Sequence, residues 1–175
     1  GSVDLPRFDF LTGTRQHSGL SYRMNDRSVL ILEGINGLNE ALTPSIPADA
    51  KYRIYVSALT PLNMDDHTAI FVSDVRTLRR VIRDARTRGR TAEETLRQWP
   101  AVRAGEAKNI FPYQEEADVM FNSSLLYEVN ALAPYARPLL EGIDRTSSEA
   151  VEAARLLKLL HFFRPAPEHF MPANS

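Results

Sequence analysis

The 175-residue sequence predicts an α/β fold, with a mainly parallel three-stranded sheet, flanking helices and an N-terminal β-hairpin. Three short apolar runs bounded by turn or polar residues predict buried strands, and segments with helical periodicity separate them. Strands that alternate with helices are typical of layered α/β folds with a parallel sheet. The three runs are Ser28–Ile35, Tyr52–Leu59 and Ala117–Ser124. The first is apolar almost throughout, which favours a strand covered on both faces.

Two helices are predicted between the second and third strands. Apolar residues recur at steps of three and four residues from Asp74 to about Arg88, which predicts an amphipathic helix. The next helix should begin at a capping box, with Thr91 as N-cap and Glu94 three residues later. It should end near Trp99, because the proline that follows disfavours helical backbone before it.

The two ends of the chain carry further elements. Glycines between two half-apolar stretches predict a hairpin over residues 1–27, and a second capping box, Thr146–Glu149, precedes a strongly helical segment. The length predicts a single domain. We therefore divide the chain into the hairpin, an α/β core at 28–145, and a C-terminal helix and tail at 146–175.

Composition limits the classes of function. The net charge is −1, so attraction for a polyanion has to be local. There are no cysteines, which excludes disulfides and thiolate metal sites. No apolar run approaches the roughly 20 residues of a membrane span, and a cytoplasmic domain is expected. The four histidines are scattered, without metal-binding spacing.

The strongest local feature is an arginine-rich segment, residues 76–90, which we call the arginine lid. It holds seven arginines and one acidic residue, Asp84. Arg76, Arg80 and Arg83 should lie within about 60° of one another on the helix. Such a face is either solvated and paired with carboxylates at 65, 66 or 74, or an anion site, and the sequence leaves both readings open.

Glu33 is a second candidate for chemistry, because it ends the first predicted strand and precedes a glycine. Ligands of open α/β sheets bind at the carboxyl ends of strands, where a carboxylate can bind Mg²⁺ directly or through water. The alternative is a strand-end residue in a solvated turn. A phosphate-binding GxxxxGK[ST] loop is absent, since none of the eight glycines precedes a lysine.

Several segments resemble the uridine kinase and phosphoribulokinase family of P-loop kinases, most closely long bacterial uridine kinase-like proteins. The resemblance covers about residues 5–175. It implies the C-terminal portion of a partial P-loop kinase fold, with ATP and Mg²⁺ expected only in the full-length protein. The segments that carry it are "LPRFDFLTG", "LILEGINGLN", "YVSALTPLN", "MPANS" and the long stretch from "RRVIRDARTRGRTAEETLRQWP" to "ADVMFNSSLLYE".

The resemblance also implies roles for individual residues. Glu33 occupies a conserved "EG" position beside the P-loop strand, and Gln98 lines the pocket for the acceptor base. Lid arginines divide into two pairs, one at the acceptor sugar and one at the transferred phosphates. Aromatic residues pack on the base. The sugar pair is Arg80 and Arg90, the phosphate pair is Arg83 and Arg88, and the aromatic residues are Phe8 and Phe10.

Two departures from the family pattern leave the acceptor open. Where the family has a tyrosine that recognises the pyrimidine, this chain has Phe8, and where the family has a histidine it has Gly13. Each change removes a hydrogen-bonding group, so the pocket should discriminate poorly among bases. We therefore expect a nucleoside or a similar small hydroxyl compound as the acceptor, without assigning uridine.

Three classes of function remain. The chain is a fragment of an ATP-dependent kinase, inactive without an upstream P-loop part of the same polypeptide, or a non-catalytic scaffold, or, least favoured, an RNA-binding domain. In the family, the P-loop strand lies between the strands matching Ser28–Ile35 and Tyr52–Leu59. Without it, these two strands should pair directly or borrow a strand from another chain, so the fragment is expected to form a homo-oligomer.

Overall fold

The computed structural model describes residues 2–9, 11–59 and 62–173, and it divides at Gly34 into two compact units. The first unit contains the strands β1 (Ser2–Asp9) and β2 (Thr14–Arg23). The second contains β3 (Ile54–Ser57) and β4 (Val119–Asn122), and four α-helices within the described residues. These helices are α1 (Val72–Thr87), α2 (Ala92–Asn109), α3 (Glu128–Glu141) and α4 (Ala150–His161).

The predicted N-terminal hairpin is confirmed, since β1 and β2 pair as an antiparallel ladder. Gly13 has φ +67° at the tip, a value that glycine adopts without steric cost. The register shifts between Leu5 and Pro6, where proline has no N–H to donate to the ladder. None of residues 5–9 and 11–34 is buried, so this unit has no hydrophobic core among the side chains that the structure describes.

Two of the three predicted strands are confirmed. β3 and β4 lie within the second and third apolar runs and pair in parallel, with Ile54 opposite Val119. Asn122 extends this pairing beyond the ladder, because its side chain accepts the N–H of Leu59 at 3.0 Å and donates to the Leu59 carbonyl at 3.1 Å.

The prediction of a strand in the first apolar run is wrong. Ser28–Ile35 has no strand pairing, and the three-stranded sheet is replaced by the two-stranded β3–β4 sheet in the described part of the second unit. Direct pairing of Ser28–Ile35 with Tyr52–Leu59 does not occur either. A strand needs a neighbour to satisfy its backbone groups, and this segment instead leaves Val29 and Ile31 82% and 85% exposed.

The core of the second unit is helical. Helix α1 packs against α2 and α3, and α3 packs against α4. The predicted first helix is confirmed within two residues at either end. Its apolar stripe points inward, because Val75, Leu78 and Val81 are fully buried and Ile82 nearly so. The arginines therefore occupy the remaining faces of α1.

Two predicted helix boundaries are wrong. The Thr91–Glu94 capping box is present, but α2 continues through Pro100 to Asn109. Proline removes one helical hydrogen bond, and the buried Leu96 and Glu106 hold the helix on both sides of it. At the C-terminal helix, Thr146 is not the cap, because it binds the Asp144 side chain and α4 begins only at Ala150.

None of the helices formed by the described residues combines the length and the apolar character that crossing a membrane requires.

A candidate anion site in the arginine lid

The centre of the arginine lid is the carboxylate of Asp84, which is completely buried. Three guanidinium groups approach it. The Nε atoms of Arg80 and Arg83 lie 3.3 Å and 3.4 Å from its oxygens, and Nη1 of Arg88 lies 3.4 Å away. We call Asp84 with these three arginines the Asp84 cluster. Its four side chains carry three positive charges and one negative charge.

The backbone of the same aspartate fixes the turn that follows α1. Its carbonyl oxygen accepts the N–H groups of Arg88 at 3.1 Å and Arg90 at 3.2 Å. Gly89 between them has φ +62°, so a side chain at this position would be strained. The chain then enters α2 at Thr91, whose side chain accepts the Glu94 N–H at 3.1 Å. The turn is therefore fixed at both ends.

The outer lid arginines have partners that sequence spacing did not reveal. Arg76 pairs with Glu106 and Arg79 with Glu128, and both carboxylates are buried. The Arg86 guanidinium lies 5.9 Å from the ring centroid of Tyr135, within range of a cation–π interaction. Asp65 instead binds backbone and side-chain groups of its own loop, and Asp74 pairs with Arg155 of α4.

Burial and neighbouring charge act together on Arg80. Removal of its guanidinium from water lowers the pKa of Arg80, although Asp84 opposes this. Arg83, Arg88 and Arg90 lower it further, because positive charges nearby disfavour another one. An anion bound beside the Asp84 cluster would relieve this repulsion.

Arg90 and Gln98, both predicted to contact the acceptor, are brought together. The Arg90 guanidinium donates to the Gln98 side-chain oxygen. Gln98 is exposed on the first part of α2, directly after the turn. The structure thus joins five of the predicted site residues in one region, formed by the C-terminal half of α1, the turn and the start of α2: Arg80, Arg83, Arg88, Arg90 and Gln98.

The remaining predicted site residues belong to the first unit. Phe8 lies on β1 and is half exposed, opposite Arg15 in the ladder. Phe10 lies outside the described residues. Glu33 is exposed in the irregular segment after the hairpin, not at the buried end of a strand as its sequence context predicted. Its assigned role at the metal stays a prediction.

The described residues fit polyphosphate better than they fit Mg²⁺. Guanidinium groups form charge-assisted hydrogen bonds with phosphate oxygens, and the Asp84 cluster holds three of them together. Across the described residues, no group of three or more histidine, aspartate or glutamate side chains is placed to hold a metal ion. Glu33 alone is not a complete Mg²⁺ site, and we derive no chemical step through the metal.

A shallow groove of about 420 Å³ lies beside the cluster, between α1 and α3. Arginine and apolar side chains both line this groove, so it combines positive charge with apolar surface. Its lining residues are Arg79, Ile82, Arg83, Arg86, Thr87 and Leu132.

The arginine-rich helix and the glycine turn lie on a mixed α/β chain, and comparison with known proteins gives its family. The sequence profile of the phosphoribulokinase / uridine kinase family matches residues 1–129. Uridine kinase of Macrococcus caseolyticus is 30% identical over 120 residues, and uridine kinase of Lactococcus lactis subsp. cremoris is 32% identical over 120 residues. Each match covers 68% of this chain and 50% of the relative.

The chain belongs to the phosphoribulokinase / uridine kinase family. This confirms the resemblance that the sequence motifs indicated. The chain spans about half the length of the curated relatives it matches. No solved structure matches it significantly.

Proposed function

We propose that this chain is the lid-bearing and acceptor-binding portion of an ATP-dependent kinase that phosphorylates a nucleoside or a similar small hydroxyl compound. The observation that supports this most is the Asp84 cluster, which lies in the segment matched to the family and gathers the arginines expected at the transferred phosphates. The cytoplasmic location expected from the sequence stays a prediction.

The chemistry of phosphoryl transfer fits such a cluster. Catalysis of this reaction depends mainly on positioning and on stabilising the charge of the phosphoryl oxygens. When bound, ATP supplies the phosphoryl group that is transferred. The Arg83 and Arg88 guanidiniums would stabilise its oxygens, and Arg90 with Gln98 would orient the acceptor. A fixed turn at Gly89 keeps these groups in place as the lid encloses the phosphates and excludes water.

The P-loop and the catalytic base would lie in an upstream segment of the same polypeptide, because the 175 residues contain no GxxxxGK[ST] motif. We therefore expect the chain alone to transfer no phosphate from ATP to any nucleoside. Purified chain incubated with radiolabelled ATP and a panel of nucleosides, followed by separation of the products, provides the measurement. The comparison protein is the polypeptide in which the encoding gene's upstream segment precedes Gly1.

The two proteins separate the outcomes. Phosphorylation by the longer protein alone supports the proposal. Phosphorylation by the chain itself, at the rate of a complete kinase, would contradict the assignment of the P-loop to another segment. If neither protein phosphorylates any acceptor on the panel, the kinase proposal fails and the scaffold reading gains support.

One observation favours assembly as a second candidate function. Apolar side chains are exposed both in the segment at 28–35 and on the β3–β4 sheet, where Val56 and Phe121 are each more than half exposed. Exposed apolar surface in either place can mark an interaction site. The partner would be the missing P-loop strand or, in the isolated chain, a second copy.

We expect the isolated chain to associate, and Ile31→Lys to reduce that association. A lysine places a charge in the middle of the most exposed apolar segment, and burying it in an interface would be costly. Light scattering of both proteins across a concentration series provides the measurement. His17→Lys, on the exposed hairpin, is the control for added charge. A wild-type chain that stays monomeric throughout would contradict the expectation.

A further inference from the structure

The most unusual feature of the lid is that one buried carboxylate serves three arginines. Each of the outer lid arginines, Arg76 and Arg79, has a buried glutamate of its own. Arg80, Arg83 and Arg88 share Asp84. We propose that Asp84 is the positioning residue of the lid, an internal anion that holds these three guanidiniums together until a polyphosphate binds them.

Electrostatics gives the reason. Three guanidiniums that contact the same carboxylate must lie close to one another, and like charges repel strongly where water is partly excluded. Burial lowers the pKa of Arg80, and the neighbouring charges of Arg83 and Arg88 lower it further. Without the carboxylate, the three side chains would separate into solvent. With it, they remain assembled on one side of the Gly89 turn.

The carboxylate does not saturate the hydrogen-bonding capacity of Arg80 and Arg83. All three contacts lie between 3.3 Å and 3.4 Å, longer than the usual distance for a charge-assisted hydrogen bond. The buried atoms Nε of Arg80 and Oδ2 of Asp84 lie 3.3 Å apart but form no hydrogen bond with each other. Arg83 also exposes about half of its side chain. The cluster therefore retains capacity for a second anion.

The same helix provides a contrast. Asp74 is also buried, but it binds a single guanidinium, that of Arg155, through two hydrogen bonds of 2.7 Å and 2.8 Å. Arg155 in turn pairs with Glu152. In this structural ion pair two carboxylates share one guanidinium, so there is no excess of positive charge. Asp84 differs from it in the number of arginines, in the length of its contacts and in the two backbone N–H groups that bind its carbonyl.

The inference rests on the proposed function for the identity of the polyanion, but its test does not require kinase activity. Asp84→Asn should lower Tm, and a few millimolar inorganic pyrophosphate should restore part of the loss, because the added anion replaces the missing charge. We expect the increase in Tm to be about 2–4 °C larger for this variant than for the wild-type chain at matched ionic strength.

Asp74→Asn is the matched control, since it removes a buried carboxylate from the same helix but leaves only one arginine, which keeps Glu152. Its Tm should fall, and pyrophosphate should not restore it selectively. Equal pyrophosphate effects on all three proteins would overturn the proposal, because Asp84 would then be an ordinary structural ion-pair partner.

A second variant covers the case in which Asp84→Asn does not fold. Removing one guanidinium relieves the repulsion among the arginines, so the double variant Asp84→Asn/Arg83→Met should be more stable than Asp84→Asn. In the wild-type chain, where Asp84 is present, Arg83→Met alone should not increase stability. A double variant that is no more stable than the single one, or that also fails to fold, would overturn the proposal. Selective rescue in the isolated chain, together with no phosphorylation by the polypeptide that contains the upstream segment, would instead leave the positioning role standing and refute the proposed function.

Discussion

Arg83→Ala and Arg88→Ala are each expected to lower kcat by about 10²–10³ in the polypeptide that contains the P-loop. Both side chains contact Asp84 at 3.4 Å and lie on either side of the α1 C-terminus. They would stabilise charge that develops on the transferred phosphoryl group, so their loss should raise the energy of the transition state far more than that of the bound acceptor. KM for the acceptor should change little.

Steady-state kinetics of both variants, with acceptor and ATP varied separately, provides the measurement. Arg103→Ala is the control, because Arg103 is an exposed arginine on α2 outside the Asp84 cluster. Its kcat should stay near that of the wild-type protein. If Arg83→Ala and Arg88→Ala raise only KM for the acceptor, they bind the ground state and the assignment to the phosphates is wrong.

Local sequence signals predicted the part of the site that depends on short-range geometry. Helical periodicity predicted α1, and the Thr91–Glu94 spacing predicted the start of α2. Between these two helices, Gly89 has φ +62°, a backbone conformation for which glycine is the favoured residue. All three features depend on interactions between residues within one or two helical turns of each other, so they can be predicted from one sequence.

Features that depend on distant residues were not predicted. The partners of Arg76 and Arg79 lie 30 and 49 residues further along the chain, and no spacing rule connects them. Asp84 was visible only as the one negative charge among seven arginines, and its complete burial could not be read from the sequence. Helix α3 was missed altogether, because Pro134 and Pro138 lie inside it and proline normally interrupts helices.

The segment at Ser28–Ile35 shows how strongly a strand depends on its neighbours. Its composition favours a buried β-strand, yet the structure leaves it unpaired and exposed. Backbone hydrogen bonds in a sheet are made between strands, so apolar character alone cannot produce one. The composition predicted a β-strand, which forms only when a neighbouring strand is present. Among the described residues, no strand pairs with this segment.

The stability of the lid depends on the helical core, and Leu156→Ala is expected to reduce the free energy of unfolding by about 2–5 kcal/mol. Leu156 on α4 is completely buried within the apolar cluster that also contains Leu78 and Val81 of α1. Truncation removes buried methyl groups and leaves a cavity that the surrounding helices fill only in part.

Urea unfolding followed by circular dichroism at 222 nm, the usual wavelength for helix, measures this loss as a lower midpoint at an unchanged slope. Val151→Ala is the matched control on the same helix, because Val151 is 80% exposed and its truncation should change stability by no more than about 0.5 kcal/mol. Similar small effects for the two variants would mean that α4 does not pack on this core in solution. Since Arg155 of α4 also binds Asp74 of α1, such a result would remove one of the supports that hold the arginine-bearing helix in place.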